Sequence, residues 1–118
     1  MFKEGAGIQK IILVTGHTDL RKGISGLAAI IQYHYGLNAL EEGTLFLFCG
    51  NNRSVIRGLI FEGDGYLQLT KRLSCGYFQW PRNSTEARQI DMEAFRRLLD
   101  GFQVESSIRR IERISQEN

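Results

Sequence analysis

Residues 45–81, LFLFCGNNRSVIRGLIFEGDGYLQLTKRLSCGYFQWP, constrain the fold more than any other stretch. Asp64-Gly65 is a strong reversal signal, because this pair supplies the positive φ angles of a tight hairpin and apolar segments flank it on both sides. Before it, Thr44 to Cys49 is apolar apart from Thr44 and reads as a strand buried on both faces. Gly50 to Arg53 is turn chemistry, and Val55 to Glu62 is a second strand. After the hairpin, Tyr66 to Leu73 alternates. Leu67, Leu69 and Leu73 fall on one face; Tyr66, Gln68, Thr70 and Arg72 fall on the other. Lys71 breaks that register, where a long stem can snorkel outward. Tyr77 to Trp80 is expected to be a short fourth strand that Pro81 ends. The expectation is an antiparallel meander with one face on a core and the other carrying Arg, Lys, Gln and Tyr.

The flanks supply helices. Lys10 to Val14 is a β-branched run and a candidate strand. Thr18 or Asp19 can cap a helix from Leu20 to about Tyr35, with Leu20, Ile24, Leu27 and Ile31 as its core stripe and Gly36 at its end. Residues 82–89, RNSTEARQ, read as an exposed loop. Asp91 then caps a second helix, with Ile90 stapled onto Phe95 and Met92, Phe95, Leu98, Leu99 and Phe102 buried, ending at Gly101. The fold class is therefore α+β: an antiparallel meander of about four to five strands with an N-terminal and a C-terminal helix packed on it. Residues 1–103 form one domain. Residues 104–118 form an amphipathic tail, with Val104, Ile108, Ile111 and Ile114 at helical spacing, suited to docking or to joining two copies of the chain.

A chain of 118 residues holds one core. With no signal-peptide pattern and no run of membrane-spanning length, the expected place is the cytoplasm and no membrane partner is expected. Cys49 and Cys75 are then expected reduced and structural. The net charge of +2 is small, but Arg53, Arg57, Lys71, Arg72 and Arg82 stand against only Glu62 and Asp64 between residues 50 and 82. That gives either a local basic face or an ordinary solvated sheet surface.

No motif points to catalysis. Asp19, Glu62 and Asp64 are the carboxylates to weigh as a two-metal nuclease site, but each has a cap or turn role of its own. Cys49, Cys75, His17 and His34 lack a closely spaced ligand pair for zinc. His17, in a loop before a helix, suits an anion contact, a base or a plain surface position. No cofactor is implied. Tyr66, Tyr77, Phe78 and Trp80, interleaved with Lys71, Arg72 and Arg82, are either a stacking platform for unpaired bases or core and cross-strand pairs.

Several blocks resemble a known family. They are Thr18 to Gly23 with Gly26-Leu27-Ala28, then Leu45 to Cys49, Glu62 to Tyr66, Lys71-Arg72-Leu73, Gly76 to Pro81 and Leu98 to Gly101. In this order, over about residues 14–102, they resemble the TnpB-like accessory protein, the second open reading frame of the insertion-sequence sixty-six transposon group. Relatives tend to carry arginines after the cysteine and Trp-Asp before the turn, where this chain has Asn51, Asn52 and Arg53, and Phe61 and Glu62. The resemblance implies a bacterial mobile-element protein that assists transposition alongside a separate catalytic transposase. The expected role is a non-catalytic accessory factor that binds DNA or the transpososome through Arg21, Lys22, Arg53, Arg57, Lys71 and Arg72. The alternative is a module that binds the transposase, or itself, without touching DNA.

Overall fold

The computed structural model describes residues 7–82 and 85–100. Among these residues five strands form one sheet: β1 (Lys10–Val14), β2 (Thr44–Cys49), β3 (Val55–Phe61), β4 (Tyr66–Arg72) and β5 (Ala87–Ile90), in the order β4-β3-β2-β1-β5. The β2-β3-β4 meander is antiparallel as expected, with Phe46 opposite Leu59 and Arg57 opposite Thr70. The sheet as a whole is mixed, which corrects the purely antiparallel expectation. β1 runs parallel to β2, with Ile12 opposite Phe46. A parallel pair needs a long crossover, usually helical. Residues 15–43 supply one: a 3-10 turn at Leu20–Lys22, helix α1 (Gly23–Ala29) and a π-helical turn at Ile30–His34.

Asp19 caps the 3-10 turn, accepting from Arg21 N at 3.0 Å. That turn winds three residues per turn rather than 3.6, so it rotates the apolar stripe. Leu27 and Ile31 are fully buried, but Ile24 is left 36% exposed, against expectation.

The two faces of the sheet carry separate cores. Ile12, Val14, Phe46, Phe48 and Leu59 pack under α1 with Leu27 and Ile31. On the opposite face Ile11, Leu13, Leu45, Leu47, Ile56 and Ile60 pack with Phe78 and Trp80, and with α2 (Met92–Leu99) through Phe95, Leu98 and Leu99. The single-faced sheet expected from alternation is thus corrected: β1 and β2 are sandwiched. All six residues of β2 are buried, as the unbroken apolar run requires. Asp91 caps α2 through Ala94 N at 2.8 Å, as expected, whereas Met92 is exposed. Phe102, Gly101 and the 104–118 tail lie outside the described residues.

The Glu62–Gly65 reversal closes with Glu62 N donating to Gly65 O at 2.8 Å. The left-handed glycine of this turn is Gly63 (φ 93°) rather than Gly65, on which the hairpin expectation rested. A Cβ on Gly63 would also sit 3.2 Å from a Glu42 carboxylate oxygen.

Two further expectations are corrected. Tyr77 to Trp80 is no strand. β4 and β5 are opposite edges of the sheet, so the chain between them must cross it. That crossing is held by single bonds: Phe78 N to Arg53 O (2.8 Å), Gly16 N to Pro81 O (2.8 Å) and Trp80 Nε1 to Val14 O (3.0 Å). The polar stretch 82–89 is not all loop: Ala87–Ile90 is edge strand β5, antiparallel to β1. Arg88 and Gln89 face solvent, which is why its sequence lacks an apolar signature.

Candidate nucleic-acid interface

β1 and β2 end side by side, and the loops leaving their carboxyl ends form the walls of a groove. The first loop is tied down by Thr18 N donating to Cys49 O at 2.8 Å. The second, Gly50 to Ser54, folds on itself: Asn52 Oδ1 accepts from Ser54 N (3.0 Å) and Ser54 Oγ (2.7 Å). Gly50 permits close contact between the two walls, since a Cβ there would meet Leu20 Cδ1 at 3.1 Å. Arg82 braces the second loop from outside, donating to Gly50 O (2.8 Å) and Asn51 O (3.2 Å).

Between these walls lies an open groove of about 920 Å³. His17, Asp19 and Arg21 line it on one side, Asn51 and Asn52 on another, and Arg57 and Arg72 form its floor at the end of the β3–β4 hairpin. Carboxyl ends of parallel strands are a recurrent place for ligand crevices, because loops diverge there.

Strand parity decides which cations reach the groove. Arg57, Thr70 and Arg72 share the α1 face of the sheet. Arg57 is held there by Nε donating to Thr70 Oγ1 (3.1 Å) and by Nη1 donating to Leu20 O. Both acceptors are neutral, and among the described residues no carboxylate pairs with it. Beyond the backbone pairing of Arg72 with Val55, the Arg72 side chain makes no hydrogen bond or ion pair among the described residues. Arg21 is different: Asp19 grips it through Nε (2.9 Å) and Nη2 (3.0 Å). Those hydrogen bonds, with the one from Arg21 N, hold the Asp19 carboxyl well below the usual carboxylate range and raise the Arg21 value. Among the described residues, the groove therefore carries two guanidinium groups without a carboxylate partner, Arg57 and Arg72, and a third, Arg21, paired with Asp19. Paired planar guanidinium donors suit an oxyanion such as phosphate.

Of the six basic residues expected to act together, the structure gathers Arg21, Arg57 and Arg72. Lys22 lines the neighbouring outer face of α1 beside Gly26 and Ala29. Arg53 lies against the Tyr77 ring, 5.2 Å from its centroid. Lys71 is on the opposite face, donating to Leu99 O at 2.6 Å. There it satisfies an orphan carbonyl at the negative end of α2. A single basic sheet face is thus replaced by a groove on one side and a helix-end contact on the other. His17, Asn51 and Asn52 join the groove without having been expected there as a set.

The aromatic alternatives also divide. Phe78 and Trp80 are core, and Tyr66 donates its hydroxyl to Ala39 O at 3.0 Å. Only Tyr77 of the four is left exposed, at 53%. The three weighed carboxylates do not converge. Asp19 lies in the groove with Val55, while Glu62 and Asp64 are at the other end of a strand about 20 Å long. No group of three His, Cys, Asp or Glu side chains among the described residues is placed to hold a metal ion. Cys49 and Cys75 are both free thiols. Cys49 is buried, which pushes its pKa up to about 11, whereas Cys75 is exposed in the turn after β4 and has no core role.

Comparison with known proteins adds the process. A family model described as "IS66 Orf2 like protein" matches residues 9–109. Over 93 residues the chain is 37% identical to the uncharacterized protein y4hO of Sinorhizobium fredii, covering 79% of this chain and 80% of that protein. It is also 28% identical over 96 residues to the uncharacterized protein y4jC of the same organism, covering 79% of each. No solved structure matches the chain.

Proposed function

Because the chain belongs to the IS66 Orf2-like family, whose members are transposition-associated accessory proteins, we propose that it serves transposition by holding nucleic-acid phosphates in the groove at the ends of β1 and β2. One observation carries this reading. Arg57 and Arg72 converge on the groove floor with no carboxylate compensating them among the described residues. Arg21, paired with Asp19, adds a third donor at the rim. The role is binding and positioning; bond cleavage belongs to the element's separate transposase. Phosphate contacts of this kind are independent of base sequence and weaken with salt. The protein acts in the cytoplasm in this account. No helix among the described residues is long and apolar enough to cross a membrane.

The test is the double substitution Arg57→Gln with Arg72→Gln, read by fluorescence anisotropy on labelled DNA. A hydrogen bond to a charged group is worth about 1.5–3 kcal/mol, so each lost contact should weaken binding about tenfold or more. A folded double variant that binds as well as the parent would sink the groove assignment.

A second reading is a module that docks on the transposase or on a second copy of itself. It is favoured by the outer face of the crossover helix, where Tyr33 is 81% exposed beside Ile30. Within that reading the 104–118 tail supplies the second contact. Light scattering with and without residues 104–118, and pull-down with the transposase, tests it. An unchanged mass and no capture would remove it.

A further inference from the structure

The Arg53–Tyr77 pair has no role in either core. Around it, the alternation from Tyr77 to Trp80 sends Phe78 and Trp80 inward and leaves the Tyr77 ring at the surface. The Arg53 guanidinium stands 5.2 Å from the centroid of that ring. The pair is also preformed at the backbone, because Phe78 N donates to Arg53 O at 2.8 Å and so ties the two segments together. A cation over an aromatic face makes a flat, electropositive surface, and both components stack on nucleobases.

Its position gives that surface a use. Arg53 follows directly on Asn51 and Asn52, which line the phosphate groove. The groove and the ring are thus two sides of one turn, braced by Arg82. We propose that Arg53 and Tyr77 are a stacking site for an unpaired base, so that the strand in the groove is single-stranded or locally opened DNA rather than intact duplex. This rests on the groove reading and narrows its ligand. In a duplex the base faces are occupied by one another, and guanidinium groups alone do not discriminate between the two forms. A phosphate groove with an adjoining aromatic face does, because every unpaired base has a face to offer it.

The full-length chain should be titrated by anisotropy with a labelled oligothymidylate and with a duplex carrying the same number of phosphates, at one fixed low salt concentration. The parent should prefer the single strand. Tyr77→Leu should cost about five- to hundredfold in single-strand affinity, the range of one stacked base, and leave duplex affinity unchanged. Tyr77→Trp should retain the single-strand preference. Because Tyr77 is half exposed, these variants should keep the parent's circular dichroism and melting curve. Arg57→Gln with Arg72→Gln should weaken both ligands. A parent that prefers duplex, or Tyr77→Leu binding the single strand like the parent, overturns the stacking site and leaves the groove reading standing if the double variant still binds weakly. If the double variant loses nothing on either ligand, it is the groove reading that fails, and the narrower proposal with it.

Discussion

Trp80→Phe tests the segment that closes the groove end of the sheet. The Trp80 side chain is 5% exposed and donates its indole N–H to the Val14 carbonyl, 3.0 Å away, at the end of β1. Phenylalanine keeps an aromatic ring there but cannot donate. The stranded buried carbonyl costs about 1–3 kcal/mol. The smaller ring also leaves a void beside Phe78, adding about 1 kcal/mol, since full Trp or Phe truncation costs about 3–5 kcal/mol. The expected loss is therefore about 2–4 kcal/mol, a large part of the ~5–15 kcal/mol that holds a typical domain together. Urea unfolding followed by far-ultraviolet circular dichroism reads it, because the substitution removes the chain's sole Trp as a fluorophore. With a slope of about 2 kcal/mol per molar urea, the middle of the usual range, the midpoint should fall by about 1–2 M at unchanged slope. Tyr77→Ala, on the solvent side of the same segment, should cost under about 1 kcal/mol. A Trp80→Phe midpoint within experimental error of the parent, or equal losses at both positions, would refute the crossing geometry.

Other expectations follow from the same arrangement. Lys71→Ala should leave DNA affinity unchanged while Arg72→Ala lowers it, in parallel anisotropy titrations, because the two side chains point to opposite faces. A thiol-reactive dye at neutral pH should label one cysteine per native chain, Cys75, and a second only after unfolding, since burial raises the Cys49 pKa to about 11. The Asp19 carboxyl has a depressed folded-state pKa, so its contribution to stability is present above the ordinary carboxylate value and is lost as pH falls through the depressed one. Asp19→Asn should therefore lower the melting temperature at pH 7, and variant and parent should converge in strong acid; a difference that persists unchanged into acid would contradict the pairing with Arg21.

Much of this architecture was legible in the residues, and the misses have identifiable causes. Thr44 to Cys49 announced a two-face buried strand because no polar residue interrupts it, and Asp91 announced its cap. The parallel β1–β2 pair was also implicit, since a strand, a helix and a strand in sequence form the standard crossover. β5 was not legible: Ala87–Ile90 owes its strand conformation to the β1 ladder rather than to its own composition. Tyr77 to Trp80 imitated a strand because alternate residues are buried, yet the burial comes from lapping across the sheet end rather than from ladder pairing.

The site was legible only in part, for a topological reason. The groove draws on the loop after β1, the turn after β2 and one end of the β3–β4 hairpin, so no local motif contains it. Within β4 the parity was readable. Arg72 shares the face of Thr70 and Gln68, whereas Lys71 belongs with Leu67 and Leu69. Grouping the two adjacent cations ignored the alternation that separates them.

If Arg57 and Arg72 meet phosphates, the affinity for DNA must depend on salt. Each neutralised phosphate contributes a slope of about −0.7 on single strands in a plot of log affinity against log salt. The parent should bind at low salt and weaken steeply, and Arg57→Gln with Arg72→Gln should flatten the slope by about 1.4, two phosphates' worth. No binding at low salt, or the same slope in both proteins, would contradict the account.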